Sequence, residues 1–218
     1  MVEIISMNSV PYFRQKHSRA CSLAVLRMVL ANSGINISEK DLLVKVEKDY
    51  GKRFKNLWNP TIAKLAREYK IRTTMYALWP LFKKEKLKKA LKEYQENPKK
   101  FNVSKYENRG DKDVLPEALP LAYKEMFKAV DLGCKVVYGK LTSTRIKSLL
   151  KKNNLIQTSV KLQKLYPKHK GFHSILLYGF KGDNIFYHDP HYGKSMTTNI
   201  DKLIKAAGNV GAAIVYDV

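Results

Sequence analysis

Residues 10–34 read VPYFRQKHSRACSLAVLRMVLANSG. The first half is polar and charged, and the second half is apolar. From Cys21 onward, Ala24, Val25, Met28 and Val29 return on one side at helical spacing, and Gly34 follows as the stop. The reading is a helix over residues 21–33 that begins on a cysteine. A thiol in that place has its pKa lowered by the helix dipole and the free amide groups around it. Those N–H groups also suit the oxyanion of a tetrahedral intermediate. Gln15, just upstream, would add a second oxyanion donor from its side-chain amide.

More helices follow. Ser38 and Asp41 resemble a capping box that opens a helix with Leu42, Leu43 and Val46 inward. Asn59-Pro60 is a cap followed by proline at the first helical position. Ile62, Leu65, Ala66 and Tyr69 continue that helix. IRTTMYAL, residues 71–78, reads as a strand. A lysine-dense helix is expected over 82–96, a polar loop over 97–116 and another helix over 117–132.

After Gly133 the texture changes. KVVYGK, LIQTSVKL, FHSILLYGF, NIFYHDP, KSMTTN and AAIVYDV are short strand-like runs. Helices near 145–152 and 200–207 interrupt them. KGDN, between Phe180 and Ile185, reads as a hairpin turn. Helices first and a mostly antiparallel sheet afterwards give an α+β fold. The expectation is one domain over residues 1–218. Residues 79–132 would be an inserted helical and loop region covering one side of a cleft.

The sheet half holds the partners a thiol nucleophile needs. His173 falls early in a strand, which presents an imidazole rigidly. Asp189 ends the next strand, and the hairpin sets the two strand ends face to face. Asp189 would then accept the Nδ1 hydrogen of His173 and fix its tautomer. Each residue alone has a plainer reading: a buried cysteine, a core histidine, an Asp-Pro turn. The order Gln, Cys, His, Asp, with the cysteine heading a helix, makes nucleophilic catalysis the better joint reading.

With these residues in view, VPYFRQ…ACSLAVLRMVLANSG, GFHSILLYGF and NIFYHDPHYG resemble the bacteriocin-leader-processing peptidases and their wider C39-like relatives, a branch of the papain-like cysteine peptidases. The resemblance covers residues 8–34 and 155–217. It implies a papain-like fold, with a helical N-terminal lobe packed on the sheet and an opening Val-Pro-Tyr strand. It makes Cys21 the nucleophile, His173 the base, Asp189 its orienting partner and Gln15 the oxyanion donor. The activity implied is that of a cysteine hydrolase acting on a peptide or protein. Two positions depart from the pattern. The family commonly has Gly-Pro or Gly-Ala after the nucleophile, where this chain has Ser22-Leu23, which would set Leu23 against the cleft. His-Ala is replaced by His173-Ser174.

Composition bounds the alternatives. The chain has 218 residues and 44% hydrophobic content, enough for a real core. No apolar run is long enough to cross a bilayer. The opening MVEIISMNSVPYF lacks a secretion-signal pattern, so a cytoplasmic location and two free thiols, Cys21 and Cys134, are expected. The net charge of +22 attracts nucleic acid, anionic membranes or acidic partners. Lysine far outnumbers arginine and no nucleic-acid motif accompanies it, so solvated lysine faces are the simpler account.

His169, His173, His188 and His191 with Asp189 suggest a zinc site. Gly171 and the strand-like surroundings argue against ligation from a helix, and strand alternation sets His188 and Asp189 on opposite faces. No cofactor or metal is expected. His17 reads as a surface histidine or a substrate contact. Two other functions fit the same residues. One is a non-catalytic module whose basic surface binds nucleic acid or an acidic partner; the other is a deamidase or acyltransferase working through the same thioester. Oligomeric state is not legible.

Overall fold

Helix α1 (Cys21–Asn32) is the hub of the protein, because it is apolar almost all the way round. Leu23, Ala24, Val25, Leu26, Met28, Val29 and Leu30 are fully buried. Its C-terminus closes as the sequence predicts. Gly34 has φ +79°, the Gly34 N–H donates to the Ala31 carbonyl and the Ile35 N–H to the Leu30 carbonyl. That is a Schellman motif, and only a residue without Cβ takes this backbone at no cost. The computed structural model describes residues 4–6, 10–50, 59–77, 84–97, 100, 102, 118–139, 141–208 and 213–218.

Around α1 pack α2 (Glu39–Tyr50) and α3 (Asn59–Glu68). Ser38 caps α2: the Asp41 N–H donates to Ser38 Oγ, and that hydroxyl donates to Asp41 Oδ2. Further along are α4 (Lys84–Glu96) and α5 (Ala118–Asp131). Helix α5 lies on α3, joined by a buried ion pair of 3.0 Å between Lys64 and Glu125. Tyr94 of α4 stacks on Phe127 of α5 with ring centroids 4.3 Å apart. Apart from Asn97, Lys100 and Asn102, the expected 97–116 loop lies outside the described residues.

The strands are β1 (Ile4–Ser6), β2 (Arg72–Ala77), β3 (Lys135–Tyr138), β4 (Leu155–Lys161), β5 (Phe172–Lys181), β6 (Asn184–Asp189), β7 (Gly193–Asn199) and β8 (Ala213–Asp217). They form one sheet in the order β3-β2-β8-β4-β5-β6-β7, with β1 against the distal end of β5. Only the β2–β3 pairing is parallel among the described strands. The KGDN hairpin sets Lys181 opposite Asn184 and Leu176 opposite His188.

Strand alternation divides the core in two. Leu155, Leu176, Tyr178, Ile214 and Tyr216 join α1, α3 and α5 on one face. Ile156, Ile175, Leu177, Ile185 and Val215 join α6 (Ser143–Lys151) and α8 (Ile200–Ala207) on the other.

The architecture is α+β, as expected, with three refinements. The sheet is not confined to the C-terminal half, since β2, from residues 72–77, pairs between β3 and β8. Strand β1 and the short helix α7 (Leu162–Leu165) were not legible. Residues 10–15 form no strand. That segment is instead tied along the end of β6 by separate bonds: Val10 O with His188 Nε2 at 3.0 Å, Tyr12 Oη to Asp189 O at 3.2 Å, and Gln15 N–H to Pro190 O at 2.8 Å.

Candidate active site

Cys21 opens α1, and nothing blocks the helix end there. No side chain caps it and no acidic residue lies in its first turn. The first N–H groups of the helix are therefore left without intrahelical partners. The thiol is half-buried and meets β5 where that strand begins. The His173 ring, the Ser174 backbone and the Ser22 hydroxyl lie close enough to bear on its titration. Burial pushes the thiol pKa up, but the bond and charge of His173 and the other two donors outweigh it, so the pKa lies below the ordinary thiol value.

His173 is buried between Cys21 and Asp189. Its Nε2–H donates to Asp189 Oδ1 at 2.8 Å. The nitrogen on Asp189 is thus Nε2, the reverse of the Nδ1 expectation, and Nδ1 is left for Cys21. His173 lies beyond the last β5–β6 pair, Leu176 with His188, and its ring meets the Asp189 carboxylate there with the Nε2 edge. Burial lowers the imidazole pKa, but the bonds to Asp189 and Cys21 win and raise it to about 9. A lowered thiol beside a raised imidazole favours the thiolate–imidazolium form of the pair.

Asp189 is fully buried and fully used. Oδ1 also accepts the His191 and Tyr192 backbone N–H groups, each at 2.9 Å. Oδ2 accepts the Tyr166 hydroxyl at 2.9 Å. Burial raises this carboxyl, but His173 and the two backbone donors hold it below its ordinary value. Tyr166 stands on the turn after α7, and its ring packs on Tyr192 with centroids 4.2 Å apart. No motif marks Tyr166 in the sequence, because a tyrosine in a polar turn carries no spacing signal.

Gln15 is half-buried. Its backbone is pinned to Pro190, and its side-chain amide donates one hydrogen to the His17 carbonyl at 3.1 Å. The second amide hydrogen has no such commitment. His17 is exposed.

The two departures at Ser22 and Ser174 are partners. Their hydroxyls lie 2.8 Å apart, buried between α1 and β5. Leu23 points into the core and is fully buried, so it does not stand against the cleft. His188 is on the opposite face from Asp189, as alternation predicts. Nε2 donates to the Val10 carbonyl, and Nδ1 accepts the Ser195 N–H at 3.0 Å. Both ring nitrogens are spent on protein, and burial holds the pKa below its ordinary value. Cys134 is buried with a raised pKa.

The Peptidase_C39 like family matches residues 7–209. The chain belongs to that family. The match spans both segments that meet at Cys21 and His173, and also the helices between them. Among solved structures, this C39-like chain is similar to a candidate C39-like peptidase from Bacillus anthracis. The TM-score is 0.55 at 12% identity, over 98% of this chain and 97% of that one. At that identity the likeness speaks for the fold. No curated protein matches. Among the described residues, no helix is long and apolar enough to cross a membrane.

Proposed function

We propose that this C39-like protein is a cysteine peptidase with Cys21 as nucleophile, His173 as base and acid, and Asp189 as orienter. The observation that supports it is the His173 ring held between the Asp189 carboxylate and the Cys21 thiol, with the thiol pKa lowered and the imidazole raised.

In the resting pair the proton sits on His173 and the negative charge on sulfur. The thiolate attacks the scissile carbonyl carbon; a C–S bond forms and the carbonyl electrons move to oxygen. The open end of α1 supplies the Cys21 N–H to that oxyanion, and the free amide hydrogen of Gln15 supplies the second donor. Collapse breaks the C–N bond as His173 gives its proton to the leaving amine. A thioester remains. His173, now neutral, removes a proton from water, and the hydroxide attacks the thioester carbonyl. The thiolate leaves, the acid departs, and the proton is back on the ring. Asp189 holds the ring in one orientation throughout.

The test is alkylation by iodoacetamide at about pH 6, followed by mass spectrometry, with hydrolysis of a quenched fluorescent peptide library alongside. Cys21 is expected to react much faster than Cys134, and Cys21→Ala to abolish hydrolysis. Equal, slow alkylation of both thiols would sink the proposal.

A further inference from the structure

Three segments ring the Cys21–His173 pair: residues 14–20, 166–172 and 190–195. They are joined at the site itself. Gln15 N–H bonds Pro190 O, His191 and Tyr192 N–H groups bond Asp189, and the His169 ring lies 4.9 Å from that of Tyr192. Their sequences, RQKHSRA, YPKHKGF and PHYGKS, contain no aspartate or glutamate. They carry Arg14, Lys16, Arg19, Lys168, Lys170 and Lys194, all exposed.

Some cations of this lysine-rich protein have carboxylate partners: Lys45 with Glu68, Lys64 and Lys128 with Glu125, Arg72 with Asp217, Lys147 with Asp183. Among the described residues, none of the six rim cations forms an ion pair. The two carboxylates near them are buried and occupied. Asp189 holds His173 and Tyr166, and Glu39 accepts the Lys16 and His17 backbone N–H groups. The uncapped end of α1 adds its positive dipole in the same place. Charge left unneutralised around a cleft focuses the field on whatever enters it.

We propose that the substrate is an acidic peptide segment, with glutamate or aspartate side chains on both sides of the scissile bond facing this rim. The proposal rests on the peptidase reading, because a thiolate at the centre of the rim attacks acyl carbon. That favours a peptide over a nucleic acid as the polyanion. The cations come from before Cys21, before His173 and after Asp189, so complementary charge is expected on both flanks of the bond.

Quenched fluorescent decapeptides of one sequence with Glu or Gln flanks test it, at low and high salt. The Glu peptide is expected to show kcat/KM about tenfold higher at low salt, with the gap shrinking as salt screens it. The Arg14→Gln/Lys170→Gln/Lys194→Gln variant should shrink the gap at low salt as well. Equal rates on the two peptides would overturn the proposal. A second arm uses the Cys21→Ala protein and fluorescence anisotropy with both peptides and a twelve-residue oligothymidylate. Preferential binding of the Glu peptide supports the acidic rim even if no peptide is cleaved, in which case the peptidase reading alone fails. Preferential binding of the oligonucleotide, or no preference among the three, overturns the acidic-peptide assignment.

Discussion

The hydroxyls of Ser22 and Ser174 lie 2.8 Å apart in the buried seam between α1 and β5. Each residue follows one of the proposed reacting pair, Ser22 after Cys21 and Ser174 after His173. Where the family pattern has glycine and alanine, this chain has a matched pair that ties α1 to β5. Both residues also help to hold the Cys21 thiol pKa down.

Ser22→Ala and Ser174→Ala should therefore couple. Either alone leaves a buried hydroxyl without its partner and is expected to cost about 1–2 kcal/mol. The double variant should cost less than the sum, with an interaction energy on the order of 1 kcal/mol in urea unfolding. Strict additivity would show that the two hydroxyls act apart.

The pH dependence should differ between alkylation and hydrolysis. Hydrolysis needs both the thiolate and a protonated His173. Its rate is expected to fall on the alkaline side as His173 loses its proton at about 9. Iodoacetamide needs only the thiolate, so Cys21 alkylation should not fall there. On the acid side both should decline together, below the ordinary thiol range, as the lowered Cys21 pKa is crossed. Cys134, buried and raised, should stay unreactive until the protein unfolds.

Tyr166→Phe removes a donor from Oδ2 of Asp189. The carboxylate then bears more charge toward His173 and orients it less well. Hydrolysis is expected to lose about three- to tenfold, mainly in kcat, and the alkaline limb to move upward by about a few tenths of a unit. A purely structural role for the hydroxyl would lower the melting temperature and leave that limb in place. Asp189→Asn should cost far more, about a hundredfold or greater.

Leu23→Ala separates packing from chemistry. The side chain is fully buried and absent from the cleft, so its loss should destabilise the fold by about 2–5 kcal/mol. Cys21 alkylation per folded molecule should persist. Faster substrate turnover from an enlarged cleft would contradict the placement of Leu23.

Glu125 is buried between Lys64 at 3.0 Å and Lys128 at 3.2 Å. Glu125→Gln leaves the buried Lys64 charge with its weaker pairing to Glu68 at 3.7 Å and should cost about 3 kcal/mol in urea unfolding. Replacing Lys64 and Glu125 together by Met and Leu should recover much of that loss.

Sequence by itself determined the local elements and singled out the candidate reacting groups. The apolar run after Cys21, Gly34, the Ser38–Asp41 cap and the KGDN turn act over a few residues, so backbone sterics and spacing carry them. His173 and Asp189 were legible because a short hairpin makes neighbours of residues only sixteen positions apart. What lay beyond reach was anything set by contacts between distant segments. Which ring nitrogen of His173 meets Asp189 depends on how the ring is turned in its packed surroundings. That Tyr166 completes the carboxylate depends on where the turn after α7 lands. That Ser22 and Ser174 are partners, and that Leu23 turns away, depends on the rotation of α1 against β5. Packing of the whole core decides those positions, because a helix side or a strand face is chosen by what it buries, and for Ser22 that partner is coded 152 residues away.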